Sequence, residues 1–559
     1  MTKWKLKEVT ERDSDLGLVG GVPPPLDRVL AARGIDTEQQ LRLFLNPPQR
    51  LPYCPMRLSG MEDALCRLRQ ATRVGVVGDF DVDGISGTAI MVEGLADFGI
   101  EAIPYLPHRV AEGHGLSDEA VHFLSDNGVE LILTVDCGVS SIREVELAGS
   151  LGIDVIITDH HVPPAVLPRA AANINPAMPG SEYPFPHLCG AGLAYKLVQG
   201  LYQLMGRPMP RHLLEMVTLG TIADMVPLLD ENRYLVKEGL AQLSQTRRPG
   251  LKALFRLARL EEKPITAEIV AFQIAPRLNA AGRMGHAMDS LRLLTTENPD
   301  EAETLAAKLE EQNRDRQQLT RRAFDSARSR VESLTEIPPF ILVEDPAITP
   351  GIAGLVAGQL ARKYMRPAVA LAQLDGDTLL ASGRSIPQFN LVQAFDACAD
   401  LLERHGGHAQ AAGFTIHSKN LGELRNRLAA LAQDALGQQE METLLEIDAE
   451  VSLSDLTSHF LKAMAELEPF GVGNPRPLFL SRNLRPVNQW PIGNAEQHLK
   501  LMVSEGSQQF PALIFNRAKE WAEQTAFVDL VFTLSEDTWQ GRRQVSLMVE
   551  DFQPGGGTG

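Results

Sequence analysis

Three short polar clusters each follow directly on a run of apolar β-formers, and this placement restricts the fold more than any other feature of the chain. Residues 74–77 lead into Gly78-Asp79-Phe80-Asp81-Val82-Asp83-Gly84, residues 131–135 into Asp136-Cys137-Gly138, and residues 154–157 into Thr158-Asp159-His160-His161. The stretches between have helical length and end on glycine: 86–98 before Gly99, 117–127 before Gly128 and 140–151 before Gly152, with one more strand at 100–105. Strands alternating with helices of a dozen residues mean βαβ units and a mainly parallel sheet. Open sheets of this kind gather ligands at the carboxyl ends of their strands. Carboxylates and imidazoles therefore converge on one sheet edge, as in a metal site.

At 559 residues the chain exceeds one ordinary core, and three or four domains are expected. Residues 190–294 lack strand signals and read as a helical half of the first domain, with apolar stretches at 216–223 and 269–274. A long helix is predicted over 299–332, where Lys308, Arg314, Arg316, Arg321, Arg322, Arg328 and Arg330 mix with acidic residues at helical spacings. A second α/β unit follows Pro338-Pro339, with strands at 340–343, 368–372 and 378–382 and helices at 352–364 and 391–404. Five short strands at 478–480, 498–503, 510–515, 527–534 and 544–549, after one helix, suit a small OB-like β-barrel. The fold class is thus α/β: a parallel-sheet catalytic domain (61–297), a connector helix (298–336), a smaller α/β associated domain (337–438) and a C-terminal barrel (446–552). Residues 1–60, rich in proline (Pro23 to Pro25, Pro47, Pro48, Pro52, Pro55), are expected to pack on the catalytic domain as short helices. Residues 553–559 are expected to form a flexible tail.

The formal charge of −18, from 53 Lys+Arg against 71 Asp+Glu, excludes a uniformly basic nucleic-acid coat. It leaves room for a local basic groove beside bound dications. Cys54, Cys66, Cys137, Cys189 and Cys398 are odd in number and scattered, which predicts free thiols rather than a disulfide framework. No run approaches a membrane span or the apolar core of a signal peptide. A cytoplasmic protein is expected.

Asp79, Asp81 and Asp83 alternate and would repel one another unless cations lay between them. The plain alternative is an acidic loop capping the next helix. Asp136 alone can be a turn former, and Asp224 can simply end the apolar run 219–223. Two adjacent histidines after an aspartate at a strand end have no such packing rationale. Carboxylate with imidazole suits Mn²⁺, with Mg²⁺ the harder alternative. Asp81, Asp83, Asp136 and Asp224 would balance two dications, and a pair of metals is the standard device for phosphoester cleavage.

The order GDFDVDG, TVDCG, TDHH and GTIADMVP closely resembles the DHH phosphoesterase superfamily. With PRLNAAGRMG at 276–285 it is similar to the RecJ branch, the single-stranded-DNA-specific exonucleases. Pro107-His108-Arg109, Ala381-Ser382-Gly383-Arg384-Ser385 and the glycine-rich segment 404–414 extend the resemblance from about residue 70 to 415, the last matching the DHH-associated domain. The resemblance implies that Asp81, Asp83, Asp136, His160 and Asp224 hold two Mn²⁺ or Mg²⁺ ions, with Asp136 bridging. Asp79 is implied as a further ligand or a group orienting His160, and His161 as a donor to the scissile phosphate. Arg109, Arg277, Asn279 and Arg283 are implied phosphate contacts. Ser382, Gly383 and Arg384 would anchor a 5′ phosphate, with Gly406, Gly407 and His408 close to the strand.

The activity that the resemblance implies is that of a processive 5′→3′ exonuclease releasing mononucleotides from single-stranded DNA in recombination and repair, including mismatch repair. Implied partners are single-strand-binding protein, a helicase and recombination mediators, and a monomer is expected. The rivals are a DHH phosphodiesterase for short oligonucleotides or cyclic dinucleotides, and a non-catalytic DHH scaffold on DNA. In the barrel, Trp490, Phe510, Phe515, Trp521, Phe527, Phe532 and Trp539 stand among Lys500, Arg517, Lys519, Arg542 and Arg543. Most of these aromatics are expected in the core, with one or two stacking bases.

Overall fold

The computed structural model describes residues 3–8, 21–46, 52–437, 444–493, 495–521, 526–539 and 542–555. Pro47, Pro48 and the end of the tail, 556–559, lie outside the described residues, as do the side chains of Trp539, Arg542 and Arg543. The chain divides into two compact units, one of residues 53–226 with 235–441 and one of 1–52 with 227–234 and 442–559.

In the first unit a parallel sheet runs in the order Glu101–Tyr105, Arg73–Gly78, Leu131–Val135, Asp154–Thr158 and Ala172–Ile174. Arg73–Gly78 and Leu131–Val135 are buried almost throughout, as inner strands covered on both faces must be. Register then does the decisive work. Gly78 pairs with Val135 and Val135 with Thr158, so three strands end level and Asp79, Asp136 and Asp159 emerge side by side. The sequence does not anticipate the last strand; three residues are too few to show a pattern.

The helix after the first strand spans Val82–Ala96 and begins four residues before the expected start at Ser86. Gly84 is not a turn ahead of the helix but part of its first turn. A Cβ there would lie 2.4 Å from the Asp79 backbone. Residues 190–294 are helical as expected, with a π-helical stretch at Val270–Ile274. The predicted connector forms one helix, Pro299–Glu332, capped by the Asn298 side chain.

The associated domain carries a mostly antiparallel sheet in the order Arg404–His408, Ala411–His417, Thr378–Arg384, Ala368–Asp375 and Ile341–Glu344. One face packs Phe395, Phe414, Leu424 and Leu428. The other packs Ile352, Val356 and Leu360 against Ala323, Ala327 and Val331 of the long helix. The helix expected over 391–404 stops at Asp396, and Arg404 already begins a strand. Pairing with Ala411–His417 overrides the local pattern there, so Gly406 and Gly407 belong to a hairpin.

In the second unit five long strands close into a barrel when Phe479–Ile492 pairs with both His498–Glu505 and Val528–Trp539. The amino-terminal segment corrects the sequence expectation. Lys3–Leu6 pairs in parallel with Leu444–Ile447, and Leu26, Val29, Leu30 and Leu41 join the barrel core with Phe460 and Phe479. The helix Pro24–Ala31 has one apolar face to bury, and the barrel supplies the partner. The end of the expected extension, from Tyr53 on, groups with the catalytic domain, and Gly60 there lies against the backbone of Asn173. Residues 227–234, inside the expected catalytic domain, also belong to this second unit. Arg233 is fully buried there and donates to the carbonyls of Phe44 and Glu468.

Candidate metal centre and phosphate site

Asp81 caps the helix Val82–Ala96, accepting from the amides of Asp83 and Gly84, as the capping reading of this cluster expects. Asp83, in the first turn, accepts at 2.6 and 2.9 Å from the amides of Gly190 and Ala191 at the start of the helix Gly190–Leu204. Positive helix ends thus steady this carboxylate. Asp136 sits at φ 64°, a left-handed conformation that aspartate tolerates better than most residues. A Cβ on Gly190 would come within 2.4 Å of its side chain, so the close approach needs glycine. Asp224 caps the end of the buried helix Leu213–Ala223.

These elements bring His160 Nε2 to 3.0 Å from Asp136 Oδ1, 3.6 Å from Asp224 Oδ2 and 4.0 Å from Asp83 Oδ2. His160 Nε2, Asp136 Oδ1 and Asp79 Oδ1 are all buried and lack a hydrogen bond. Among the described residues no lysine or arginine forms an ion pair with any of the five aspartates. Burial, then the neighbouring Asp79 and Asp83, push the Asp81 carboxyl up to about 6. Burial with Asp83 and Asp81 pushes Asp224 to about 8, and Asp136 is driven well above the carboxylate range. Burial lowers His160. Such crowding is unfavourable without counter-charge. Donor atoms fall within 4.8 Å of one another in three groups: Asp79, Asp81 and Asp136; Asp83, His160 and Asp224; and Asp136, His160 and His161. Orphaned, buried donors of oxygen and imidazole nitrogen fit divalent cations of the Mn²⁺ and Mg²⁺ kind.

His161 is occupied differently. Its Nδ1 lies 2.7 Å from Asp159 Oδ1, and its amide donates to the same oxygen, while Asp159 Oδ2 accepts from the Val139 amide. Burial raises the Asp159 carboxyl, yet the bonds from His161 and Val139 outweigh it and hold it below its ordinary value. The same bond to Asp159 lifts His161 to about 9. Asp159 therefore orients the ring and leaves Nε2 for a ligand.

A second cluster is basic. Arg109 lies over the Phe80 ring at 4.3 Å. Burial first, then Arg109, Arg316 and Arg384, lowers Arg283 to about 9. Arg384 is lowered by burial and by Arg109. A Cβ on Gly354, in the first turn of the helix Ala353–Tyr364, would meet Ser382 Oγ at 2.9 Å and Arg384 Nη2 at 3.1 Å. Crowded guanidiniums beside a helix amino terminus are surroundings that suit an anion. Arg316 belongs to this cluster, although its sequence context shows only one more charge on a mixed-charge helix.

Two further predicted phosphate contacts have partners within the protein. Arg277 pairs with Glu310 at 2.6 Å and donates to the Gln273 carbonyl, which ties its helix to the long one. Asn279 accepts from the Val82 amide and steadies the acidic loop. Gly383 lies within the strand Thr378–Arg384 that presents Ser382 and Arg384. Gly406 and Gly407 lie in the hairpin, Gly407 at φ 131°, and His408 at its end faces His161. In the barrel, Phe532 is buried and Trp521 nearly so, while Trp490, Phe515 and Phe527 are exposed, with Lys500 paired across from Trp490.

Family models match the DHH family N-terminal domain over residues 73–221, the DHHA1 domain over 338–434 and the RecJ OB domain over 447–551. The chain is 32% identical to the single-stranded-DNA-specific exonuclease RecJ of Salmonella typhimurium, covering 97% of this chain and 98% of that one. The chain belongs to the RecJ family. The RecJ relative of Bacillus subtilis is 36% identical over 95% of this chain and 68% of its own length. Two RecJ crystal structures from Thermus thermophilus extend the likeness to coordinates. The one in complex with Mn²⁺ has TM-score 0.84 at 30% identity, covering 99% of this chain and 79% of that one, and the one with Mg²⁺ has TM-score 0.77 at 28% identity, covering 99% and 78%. Among the described residues no helix is long and apolar enough to cross a membrane.

Proposed function

We propose that this RecJ-family protein is a dication-dependent exonuclease that degrades single-stranded DNA from its 5′ end to mononucleotides, in recombination and repair. The observation that carries the reading is the meeting of orphaned His160 Nε2 and Asp136 Oδ1 with four further acidic side chains, those of Asp79, Asp81, Asp83 and Asp224, at one sheet edge. Asp81, Asp83, Asp136, His160 and Asp224 hold two Mn²⁺ or Mg²⁺ ions, and Asp79 adds a ligand or orients His160. Bound there, such a pair activates water and offsets charge on the phosphoryl oxygens.

The chain's own groups do the remaining work. His161, fixed by Asp159, directs Nε2 at the phosphate and donates to charge that grows as the bond breaks. Arg109, Arg283, Arg384 and Ser382, joined by Arg316, hold the 5′ phosphate, which fixes the polarity of digestion. Cleavage belongs to residues 61–297, phosphate capture to 337–438 with the connector helix 298–336, and strand delivery to 446–552. Single-strand-binding protein, a helicase and recombination mediators are the partners of a cytoplasmic monomer.

The test is digestion of end-labelled single strands in Mn²⁺, with a dinucleotide as the competing substrate. Mononucleotides released from the 5′ end of the long strand support the reading. Equal or faster turnover of the dinucleotide would overturn it.

A further inference from the structure

His161 is tied at one nitrogen, and a single hydrogen bond leaves an imidazole free to rock about that bond. Two other rings touch it. His160 approaches at 4.5 Å between centroids with the planes tilted by 47°, and His408 lies nearly parallel to it, at 5.8 Å and 9°. His408 comes from the associated domain, far along the chain.

The element that presents His408 is rigid. It is the last residue of the strand Arg404–His408, just before the reversal at Ala409 and Gln410. The Gln410 carbonyl accepts from the Ser385 amide and the Ala409 carbonyl from the Leu391 amide, at 2.9 and 2.8 Å, so the reversal is pinned on both sides. Gly407, at φ 131°, has no room for a Cβ, which would lie 2.5 Å from the Ala411 carbonyl oxygen. Among the described residues the His408 side chain makes no hydrogen bond, and its ring contact is with His161. The His408 side chain is exposed to solvent, and the backbone beneath it is what fixes where its ring stands beside His161.

We propose that His408 is a positioning residue for His161: the hairpin of the associated domain lays its imidazole flat against the His161 ring and, with Asp159, fixes the direction of Nε2. The arrangement makes alignment of His161 depend on the two domains being together. This rests on the reading of His161 as a donor to the scissile phosphate.

The experiment compares H408A, H408F and H408Q in the full chain, with single-turnover cleavage, KM and the histidine ring resonances of labelled protein as readouts. Misplacing a reacting group by about 1 Å costs up to ~100-fold, so H408A is expected to lower kcat roughly tenfold with KM within about twofold. H408F, which stacks but cannot hydrogen-bond, should recover most of the rate, and H408Q should not. The His161 resonance should move in H408A and stay near its place in H408F. In an H161A background H408A should have no further effect, because a residue acting through His161 has nothing left to position. Recovery by H408Q rather than H408F, an unmoved resonance in H408A, or a full further loss in H161A would overturn the proposal. If H161A itself cleaves at the wild-type rate, the reading of His161 falls while the resonance shift still decides whether the contact exists.

Discussion

The acidic pocket and the arginine pocket are mirror images in charge. Asp79, Asp81, Asp83, Asp136 and Asp224 crowd together around His160, and Arg109, Arg283, Arg316 and Arg384 crowd together beside the amino end of a helix. Each is electrostatically unfavourable alone, which shows in carboxyls pushed up and guanidiniums pushed down. Each becomes favourable with the opposite charge, dications in one and phosphate in the other. Their internal neighbours differ, however. Asp81 and Asp83 are steadied by backbone amides, whereas Arg283 reaches a single carbonyl, that of Gly351. Arg384 and Arg316 likewise reach the Gly383 carbonyl and Asn313 Oδ1, while Asp136 Oδ1 and Asp79 Oδ1 accept no hydrogen bond, so the acidic pocket holds the larger share of unsatisfied atoms.

The largest effect expected from breaking this comparison is at Asp136. D136N keeps a residue type that tolerates the left-handed backbone, so the loss reports the carboxylate alone. Cleavage should fall on the order of 10³-fold or more, with a smaller change in KM, measured in single-turnover assays. The same variant should melt higher than wild type when stripped of metal, because one buried carboxylate has left the crowd.

Next come the arginines. R283A and R384A each remove charge-assisted hydrogen bonds of about 1.5–3 kcal/mol, roughly 10- to 100-fold in KM on 5′-phosphorylated strands. R316A should follow with a smaller rise. Assays with 5′-hydroxyl strands check the assignment, since the variants should then differ little from wild type.

Metal-free stability should fall as pH rises. Asp81 and Asp224 titrate near 6 and 8 when folded, against about 4 unfolded, so the folded state holds more protons between those values and loses stability across that window. His161, lifted to about 9, stabilises the fold below its unfolded value near 6.5 and loses that contribution as pH climbs through 9. Melting of chelated protein from pH 5 to 9 should therefore trend downward, and saturating Mn²⁺ should flatten the trend. The smallest effect on cleavage is expected from R277A, which should lower the melting temperature through its lost pair with Glu310 and leave KM within about twofold.

The features legible in the sequence are those that local pattern encodes. Glycines closing helices and apolar runs ending in aspartate located the parallel sheet, and the level strand ends explain why the residues 79, 136 and 159 meet. His160 stands out as one of two histidines after an aspartate at a strand end, whereas Asp224 is singled out by the resemblance and not by its own context, which equally suits the end of a helix. Partner choice is not legible. Nothing in the sequence around Arg277 or Arg316 says that one finds Glu310 and the other an arginine cluster, since both depend on how separate helices pack. The same holds for Leu26 and Val29, whose apolar spacing announces a buried face without naming the barrel that covers it. The helix expected over 391–404 ends early, at Asp396, and a short 3-10 turn at Ala399–Leu401 leads into the hairpin strand that begins at Arg404.

The long helix Pro299–Glu332 is clamped at both ends: Leu305, Ala306 and Leu309 are buried in its first half, and Ala323, Ala327 and Val331 in its second. It works as a beam whose two ends are indexed to different cores. One residue added between Asn313 and Thr320 would turn everything beyond it by about 100° and push it out by about 1.5 Å. The length of this segment is therefore set as strictly as any catalytic side chain, and insertions that a surface loop would absorb have no place in it.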